Sequence, residues 1–549
     1  MKTKTPLRFV IAGALSLGTL AHAAELPRTI LFIDDKDVLY RSGTKKTVYP
    51  LKKYEGNPVI APNKIWESSV GWNSEYRDPK TGKFQMWYQA YSTKRKEDKR
   101  LQSVVCYAES EDGKTWVKPN LGLFPYYEEK DTNIVLIGSG GYGDRYCNSV
   151  VVDANEKDPA KRYKMVYYDW ETGENAKKGA GTFLAFSPDG IHWTKYEGGM
   201  VSKTNFGGKG KQPPLVEDGF YSEETGKDGQ IKRTWLVPIT MSDAIDVFYD
   251  ESRQAFVGYG KMWYQGPDGG HAWKHGMGRI ESKDFINWSK PELLLTVNDE
   301  DPPQFEFHTS PVFPYNGMYL SLNQIMDRSA GTIDVELISS RDGFAWDREF
   351  ARIPVIERGQ GEVFDRNCIF SNGTPIAVGE DLYFYYGAYR GPATGAIGLD
   401  LQDPNSTDYR SGIGLATMKR DRFVGVSPDA KAPLKMMNPP NPASNKKPKP
   451  VDLKDNTIGQ VTLKPLDLGG VQEILVNANA EKGAVRVEIL NDEGYRMSGF
   501  TKDDAVPLTG NSVAMKAAWK DKTLGDLPAG KYLVRVHLDN SELFACTLK

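Results

Sequence analysis

Three acidic side chains stand near the beginning of apolar, aromatic-containing runs, where a carboxyl group could take part in acid/base chemistry. They are Asp246 in SDAIDVFYD, Glu306 in QFEFHTSPVF and Glu362 in GEVFDRNCIF. A carboxyl group among apolar neighbours is costly to ionise unless it is paired or has a chemical task. Two such groups on opposite sides of a glycosidic bond can cleave it, because one protonates the leaving oxygen while the other acts as nucleophile or activates water.

The neighbours of these acids suggest how the two tasks would be divided. Glu306 lies between Phe305 and Phe307, which would keep its carboxyl group protonated near neutral pH, so we expect it to be the proton donor. Asp246 is then the expected base or nucleophile. Glu362 would orient that base or contact the sugar.

Other acids in comparable runs leave alternatives open. One sequence does not fix the register of a strand, and a slip of one residue turns a side chain to the opposite face. The acids that could also face a site are Glu67, Glu75, Asp144 and Asp243. Three further aspartates close their runs at equivalent repeat positions, and we interpret them as turn caps: Asp78, Asp153 and Asp250.

Residues suited to binding a polyhydroxylated or anionic ligand lie in the same stretches. Trp72 and Asn73 in GWNSEY would supply a stacking platform and an amide that reads hydroxyl groups. Basic side chains that could hold a sugar carboxylate or sulfate are Arg145, His308 and Arg366. The predicted binding set is completed by Asn148, Asp243 and Asp365.

A turn motif that occurs four times indicates how the chain is arranged around these residues. Its copies are SEDGKTW (110–116), SPDGIHW (187–193), SKDFINW (282–288) and SRDGFAW (340–346). In each copy Asp would cap backbone N–H groups and Trp would cover the neighbouring strand. Gly, or Phe285 in the third copy, would take the unusual backbone dihedrals. Four copies indicate a repeat protein.

Aromatic-rich runs around these turns have the composition of β-strands, at 83–91, 162–170, 254–263, 317–325 and 381–389. The tryptophans of successive turns are 77, 95 and 58 residues apart. Periods this long and uneven fit four-stranded propeller blades with loop insertions better than a solenoid. The sequence therefore predicts an all-β fold, a five-bladed β-propeller whose second blade begins near residue 133, followed by a C-terminal β-sandwich.

In a propeller the innermost strands converge on one axis. Residues that open successive inner strands should therefore meet at one mouth of the central channel: Asp246, Glu306, Glu362, Trp72, Asn73 and Arg145. Asp246 and Asn148 near that axis would also suit a structural calcium ion, whereas no cofactor is predicted for the reaction itself.

Composition divides the chain into five parts. Basic residues precede an apolar run and the small-residue site AHA (21–23), so residues 1–23 are expected to be a secretory signal and the mature protein to be periplasmic or extracellular. The remaining parts are an N-terminal strand and connector (24–59), the propeller (60–427), a Pro/Lys-rich linker (428–450) and the sandwich (451–549).

Charge, hydropathy and cysteine spacing exclude several classes of protein. The 70 basic and 72 acidic side chains give a net charge of -2, and no Lys/Arg stripe alternates with aromatic residues, so nucleic acid is not an expected partner. No later segment has the roughly 20 apolar residues of a membrane span. The cysteine spacing matches neither a disulfide framework nor a zinc site, and we expect buried thiols at Cys106, Cys147, Cys368 and Cys546.

The turn motif, the strand RYKMVYYDW and the segment GNPVIAP ahead of the first blade together resemble the five-bladed β-propeller glycosidases over about residues 60–425. These are the invertase, levansucrase and arabinanase/xylosidase-like families. The C-terminal part is similar to the accessory module of the invertase-like group. The combination most resembles exported bacterial proteins related to the N-terminal domain of invertase, and it implies a funnel that faces an oligosaccharide or polysaccharide.

One stretch departs from those families. The resemblance implies an aspartate on the first inner strand as nucleophile or base, whereas this chain reads Gly71-Trp72-Asn73-Ser74-Glu75 there. A carboxylate from elsewhere must then do that work, or no hydrolysis takes place.

Three functions from different classes agree with these patterns. An exported glycoside hydrolase is favoured. A propeller that only binds glycan would need the aromatic residues but no acid/base pair. A structural or protein-binding propeller is the third reading, and the lack of a long apolar surface run is adverse to it. A phosphorylase on the same scaffold is less expected for an exported protein.

Overall fold

The computed structural model describes residues 27–92, 97–141, 148–174, 179–203, 220–225, 231–237, 241, 243–265, 273–371, 373–393, 407–429 and 458–549. The predicted signal, nearly all of the predicted linker, Asp144, Arg145 and Cys147 lie outside the described residues. In the described part the fold is all-β, as predicted, with short 3₁₀ turns at Lys99–Leu101, Pro159–Lys161 and Leu524–Asp526.

Four strands precede the repeats: β1 (Arg28–Leu31), β2 (Val38–Ser42), β3 (Thr44–Val48) and β4 (Lys52–Lys53). The first unit is an antiparallel sheet of β5 (Ser69–Arg77), β6 (Phe84–Tyr91), β7 (Ser103–Ser110) and β8 (Ile134–Leu136). The second contains β9 (Ser149–Val152), β10 (Tyr163–Trp170), β11 (Ala180–Ser187), β12 (Thr194–Lys195) and β13 (Ser202–Lys203). A separate hairpin follows, β14 (Phe220–Thr225) and β15 (Ile231–Val237).

The third unit is β16 (Ile245–Asp250), β17 (Ala255–Gln265), β18 (Trp273–Ser282) and β19 (Glu292–Leu295). The fourth contains β20 (Phe305–Phe307), β21 (Val312–Tyr315), β22 (Met318–Asp327), β23 (Thr332–Ser340) and β24 (Trp346–Asp347). The fifth contains β25 (Cys368–Ser371), β26 (Ile376–Val378), β27 (Asp381–Tyr389) and β28 (Ser411–Lys419). A parallel bridge from β23 to β25 joins the last two units in one sheet, and β4 adds the outer strand to β28.

The aromatic-rich runs are strands as predicted, namely β6, β10, β17, β22 and β27, and each lies in the interior of its unit. The predicted start of the second unit near residue 133 is wrong, because β8 pairs with β7 and so closes the first unit. The sequence around residue 133 offered no turn strong enough to show this.

The units follow one another in a closed circuit, with β5 in contact with β9, β9 with β16, β16 with β21, β22 with β25 and β27 with β5. Serine hydroxyls connect strands of neighbouring units. Ser74 donates to the backbone next to β9 at 3.0 Å, Ser149 accepts from the backbone of β16 at 2.9 Å, and Ser371 donates to the backbone of β22 at 2.8 Å. These strands therefore present their side chains to a shared interior.

The repeated turn has the predicted construction. In the first copy, Asp112 accepts hydrogen bonds from the N–H groups of Lys114 (2.8 Å) and Thr115 (2.7 Å), and these bonds lower the pKa of Asp112. Gly113 has φ +72°, and Phe285 takes the equivalent left-handed conformation at φ +66° in the third copy. The interpretation of Asp78, Asp153 and Asp250 as turn caps is confirmed by their bonds to backbone N–H groups.

The C-terminal part is not built from residues 451–549 alone. Its strands are β29 (Val424–Pro428), β30 (Ile458–Leu463), β31 (Leu466–Asp467), β32 (Ile474–Asn491), β33 (Leu508–Lys516), β34 (Lys531–Asp539) and β35 (Glu542–Leu548). They form one ten-stranded sheet with β1, β2 and β3, in the order β2-β30-β34-β32-β35-β29-β3, with β1 paired to β35. The segment predicted as a connector therefore supplies three strands to the C-terminal core.

Cys106, Cys368 and Cys546 are buried free thiols, as predicted, and burial raises the pKa of each. No helix among the described residues is long and apolar enough to cross a membrane.

The turn caps should contribute to stability and not to chemistry. We expect Asp112→Ala to lower the free energy of unfolding by about 1 kcal/mol, the usual cost of a lost cap, because two N–H groups lose their acceptor. Glu111→Ala, at the exposed neighbouring position, is the matched control and should change little. Chemical denaturation of both variants checks this, and equal losses at the two positions would contradict the cap assignment.

Candidate active site

Two carboxyl groups face each other across Gly373. The backbone N–H of Gly373 donates to Asp246 Oδ2 at 3.1 Å. A Cβ at Gly373 would lie 3.5 Å from Glu75 Oε2, on a backbone held at φ +65°. Because Asp246 Oδ2 and Glu75 Oε2 both lie this close to Gly373, the two oxygens are within about 9 Å of each other. We call Glu75 and Asp246 the axial pair.

The partners of the axial pair are neutral groups. Asp246 Oδ1 accepts from Ser149 Oγ at 2.7 Å, and Glu75 Oε1 accepts from Asn73 Nδ2 at 2.5 Å. Burial raises the pKa of Asp246 to about 6, against the hydrogen bonds of Ser149 and Gly373. Burial also raises the pKa of Glu75 well above its usual value, although Asn73 opposes this, and the negative charge of Asp246 raises it further. Burial thus raises both pKa values, and the charge of Asp246 distinguishes the two groups by raising the pKa of Glu75 further.

A cavity of about 310 Å³ lies against the axial pair. Besides the pair and Gly373, it is lined by residues of β5, β9 and β16, by the turns that follow β9 and β16, and by Thr374. These include Tyr76, Asp153, Tyr249 and Glu251. We call it the axial cavity. Its volume is at the lower end of the range of about 300–1,000 Å³ typical of sites for small ligands.

A second group of charged residues lies at the beginnings of the third and fourth units. Asp243 forms a 2.6 Å ion pair with Lys261, and Glu306 Oε1 is 2.9 Å from His275 Nδ1. Although burial acts to raise it, the ammonium group of Lys261 lowers the pKa of Asp243. We call Asp243, Lys261, His275, Glu306 and His308 the strand-start cluster. Its two carboxylates, unlike the axial pair, have basic partners.

The predicted protonation state of Glu306 is wrong. Burial does act to raise its pKa, but the hydrogen bond of His275 and the charge of Arg328, 3.7 Å away, outweigh it and leave the pKa below its usual value. Glu306 is thus ionised at neutral pH and unsuited to donate a proton. The sequence showed the flanking phenylalanines but not His275, which comes from β18.

His308 is neutral, with a defined tautomer. Gln324 Nε2 donates to the carbonyl oxygen of Ser371 at 2.8 Å, which turns Gln324 Oε1 toward His308 Nδ1 at 3.1 Å. Because Oε1 can only accept, Nδ1 carries the proton and Nε2 the lone pair. Burial, followed by the charge of Lys261, holds the pKa of His308 well below its usual value. His308 is therefore not the cation expected to hold a sugar carboxylate.

Trp72 is not an open stacking platform. It is 6% exposed, and its ring packs against His308 (centroids 5.7 Å apart) and Phe370 (4.7 Å). The residue has φ +48° at a bulge between Gly71 and Asn73. The bulge turns Trp72 into this cluster, while Asn73 reaches Glu75.

The prediction that Asp246, Glu306 and Glu362 converge is not supported by their contacts. Glu362 is 72% exposed, with its carboxylate on Arg366 and Arg390, whereas Glu306 is buried against His275. Asp246 faces Glu75. The exposed carboxylate of Glu362 is bound to two arginines and is not part of the lining of the axial cavity.

The other predicted residues have structural partners. Asp365 is buried between Lys53 Nζ (2.6 Å) and the hydroxyl of Tyr386 (3.0 Å), where it fixes β4 to the fifth unit. Asn148 donates to the carbonyl of Trp87 at 3.0 Å. Glu67, one of the alternatives, is buried in a 2.7 Å ion pair with Lys118. Within the described residues no group of three or more His, Cys, Asp and Glu side chains is arranged to hold a metal ion.

The sequence therefore singled out Asp246, which belongs to the axial pair, but not most of the residues around it. Glu75 was one of the acids whose orientation the sequence left open. The bulge at Trp72 sets that orientation, and the sequence contains no clear signal for the bulge. Ser149 and Gly373 were not considered. The signal that could have found Gly373 is the SNG sequence after β25, since Gly next to Asn often marks a left-handed turn residue.

No protein-family model matches the chain, and a search of curated proteins gives no match. Solved structures do match. They include the BT0996 RGII complex, with TM-score 0.44 and 16% identity over 68% of this protein and 92% of that one. They also include an N-acetylgalactosamine deacetylase from F. plautii in complex with blood group B trisaccharide, with TM-score 0.40 and 19% identity over 70% and 97%.

A thermostable family-43 glycoside hydrolase matches with TM-score 0.38 and 14% identity over 68% of this protein and 96% of that one. At these values the likeness carries no argument about the site, whose chemistry must come from its side chains.

The raised pKa of Asp246 has a cost in stability. A folded pKa of about 6 against 3.8 unfolded means that folding is penalised as pH rises from about 4 to 6 and remains penalised above. We expect Asp246→Asn to raise the free energy of unfolding relative to the parent by about 2 kcal/mol more at pH 8 than at pH 4. Denaturant unfolding across this range measures it. Glu362→Gln is the control, and a parallel rise there, or none at Asp246, would contradict the electrostatic account.

Proposed function

We propose that this protein is an exported glycoside hydrolase that uses the axial pair as its acid and base. The closed circuit of five antiparallel units supports a five-bladed propeller as its scaffold. Residues 1–23 support export, because they have the composition of a secretory signal.

The observation that carries this proposal is the placement of Glu75 and Asp246 on either side of Gly373, beside a cavity. Carboxyl groups of glycosidases are about 5–5.5 Å apart in retaining enzymes and 6.5–9.5 Å apart in inverting ones. The upper limit of about 9 Å for the axial pair is compatible with both stereochemical outcomes.

Glu75 is the proposed proton donor. Asn73 donates to its Oε1, so the proton resides on Oε2, the oxygen that faces Gly373. As the glycosidic bond breaks, Oε2 would pass this proton to the leaving oxygen. The high pKa that burial and Asp246 give to Glu75 keeps the proton available at neutral pH.

Asp246 is the proposed base or nucleophile. The hydroxyl of Ser149 and the N–H of Gly373 each hold one of its oxygens, so the carboxylate has a fixed orientation. In one outcome Asp246 attacks the anomeric carbon, and in the other it takes a proton from the attacking water. Where Asp246 attacks, water must then cleave the bond between Asp246 and the sugar while Glu75, now a carboxylate, takes the proton of that water. Where Asp246 instead takes a proton from the attacking water, Asp246 loses that proton to solvent and Glu75 regains one before the next turnover.

A glycan-binding protein without catalysis is the second candidate. It is favoured by the strand-start cluster, in which His308 presents a neutral acceptor and Asp243 and Glu306 are already ionised and paired. Such a group can bind hydroxyls but contains no protonated carboxyl group to act as the acid.

Amide replacements at the axial pair test the catalytic roles. On a panel of plant and algal oligosaccharides and aryl glycosides, we expect Glu75→Gln and Asp246→Asn each to lower kcat by about 10² or more. The parent should show kcat/KM rising through about pH 6 as Asp246 ionises, then falling at higher pH as Glu75 loses its proton. Glu75→Gln should lose the fall at high pH.

The control for these variants is Glu362→Gln, which removes a mainly exposed carboxylate. It should keep the parent rate and pH profile. Parent rates in both axial variants would refute the proposed roles and favour the glycan-binding candidate.

Gly373 and Gly379 form a second matched test. Both have positive φ, at +65° and +61°, so replacement by Ala should cost similar stability at each. Only at Gly373 does the new Cβ lie next to Glu75 Oε2, whereas at Gly379 it meets nothing within 4 Å. We expect Gly373→Ala to reduce kcat by about 10-fold or more and Gly379→Ala to leave kcat unchanged, measured at matched fractions of folded protein. Equal kcat values would place the reaction elsewhere.

A further inference from the structure

The charged residues that line the axial cavity all have the same sign. Glu75, Asp153, Asp246 and Glu251 line it, and its lining, all of it within the described residues, contains no Lys, Arg or His. Other surface grooves of the protein have mixed charge. The groove near Phe344 on the third unit is lined by Arg279 and Lys283 as well as by acidic residues.

Three cations near the cavity have partners of their own. Lys164 lies 3.6 Å from Asp153, but it is buried and bonded to Glu156 at 2.5 Å. Arg162 hydrogen-bonds to the lining residue Tyr76. Arg253, close to Glu251 in the chain, donates to the backbone of Asp342 at 2.8 Å. The lining itself, among the described residues, exposes a ligand to the charge of Asp246 and Glu251.

The field in the cavity affects ligands according to their charge. Like charges a few ångströms apart repel each other strongly where the site is partly removed from water, so an acidic substituent would be disfavoured. A neutral ring would be tolerated, and its hydroxyl groups could donate to the carboxylates. An ammonium group would be attracted. Tyr76 and Tyr249 supply aromatic surface for the apolar face of a ring.

We infer that the axial cavity selects saccharides without acidic substituents, and that neutral sugars and amino sugars bind there in preference to uronic acids. This inference rests on the proposed function for the identity of the site. It replaces the expectation that basic side chains hold a sugar carboxylate or sulfate, since Arg366 is paired with Glu362 and His308 is neutral.

Calorimetric titration of the full-length protein with matched monosaccharides tests the inference. The probes are glucosamine, glucose and glucuronate, and the corresponding galacto series, which differ in charge but little in shape. We expect the uronates to bind at least 10-fold more weakly than the neutral sugars, with the amino sugars equal to the neutral sugars or tighter. The discrimination should shrink as salt is raised, because ions screen exposed charges.

A charge reversal at the cavity wall identifies the location. Glu251→Lys should reduce the discrimination against uronates by about 10-fold, whereas Glu111→Lys, in a turn outside the cavity, should leave it unchanged. Uronates that bind as tightly as the neutral sugars, equal effects of the two variants, or no binding by any of the six probes would overturn the inference.

Hydrolysis of aryl hexosides and aryl hexuronosides separates this inference from the proposed function. Hydrolysis that prefers uronosides overturns the inference and leaves the proposed function standing. If the protein discriminates among the six monosaccharides but hydrolyses no substrate, the proposed function is overturned and the inference stands. Preferential hydrolysis of neutral or amino sugars supports both.

Discussion

The constraint on which the site depends is the removal from water of two carboxyl groups that are held by neutral donors. The hydrogen bonds to Glu75 and Asp246 come from the amide of Asn73, the hydroxyl of Ser149 and the N–H of Gly373. Such donors orient a carboxyl group but do not cancel its charge. Burial therefore raises the pKa of both groups, and the charge of Asp246 raises that of Glu75 further, which is the condition under which one carboxyl group of a pair can act as an acid.

The scaffold maintains this arrangement by fixing the backbone around it. Serine hydroxyls connect strands of neighbouring units at 2.8–3.0 Å, and one of them, Ser149, also bonds Asp246. The repeated turns hold the outer ends of the sheets, and β4 closes the fifth unit from the N-terminal side. The carboxylates of the strand-start cluster show the ordinary alternative, because Asp243 and Glu306 have basic partners and depressed pKa values.

Much of the fold could be predicted because its signals are local. The Asp and Gly of each turn, and the aromatic-rich strands beside it, depend on neighbours within a few residues, and they were found where expected. The C-terminal sheet was harder, since pairing of β1 with β35 joins opposite ends of the chain. The same reason limits the site. Asp246 follows from its own sequence, but the role of Glu75 depends on a bulge, and the ionised state of Glu306 depends on His275 from another unit.

The protonation of Glu75 tests the central claim most directly, and infrared difference spectroscopy can measure it without a substrate. A protonated carboxyl group has a C=O stretch distinct from that of a carboxylate. The account predicts a protonated carboxyl signal in the parent protein at neutral pH that disappears in Glu75→Gln and titrates with a pKa above that of Asp246. A parent protein with no such signal at neutral pH, or a signal unchanged by Glu75→Gln, would contradict the claim that the axial pair retains a proton.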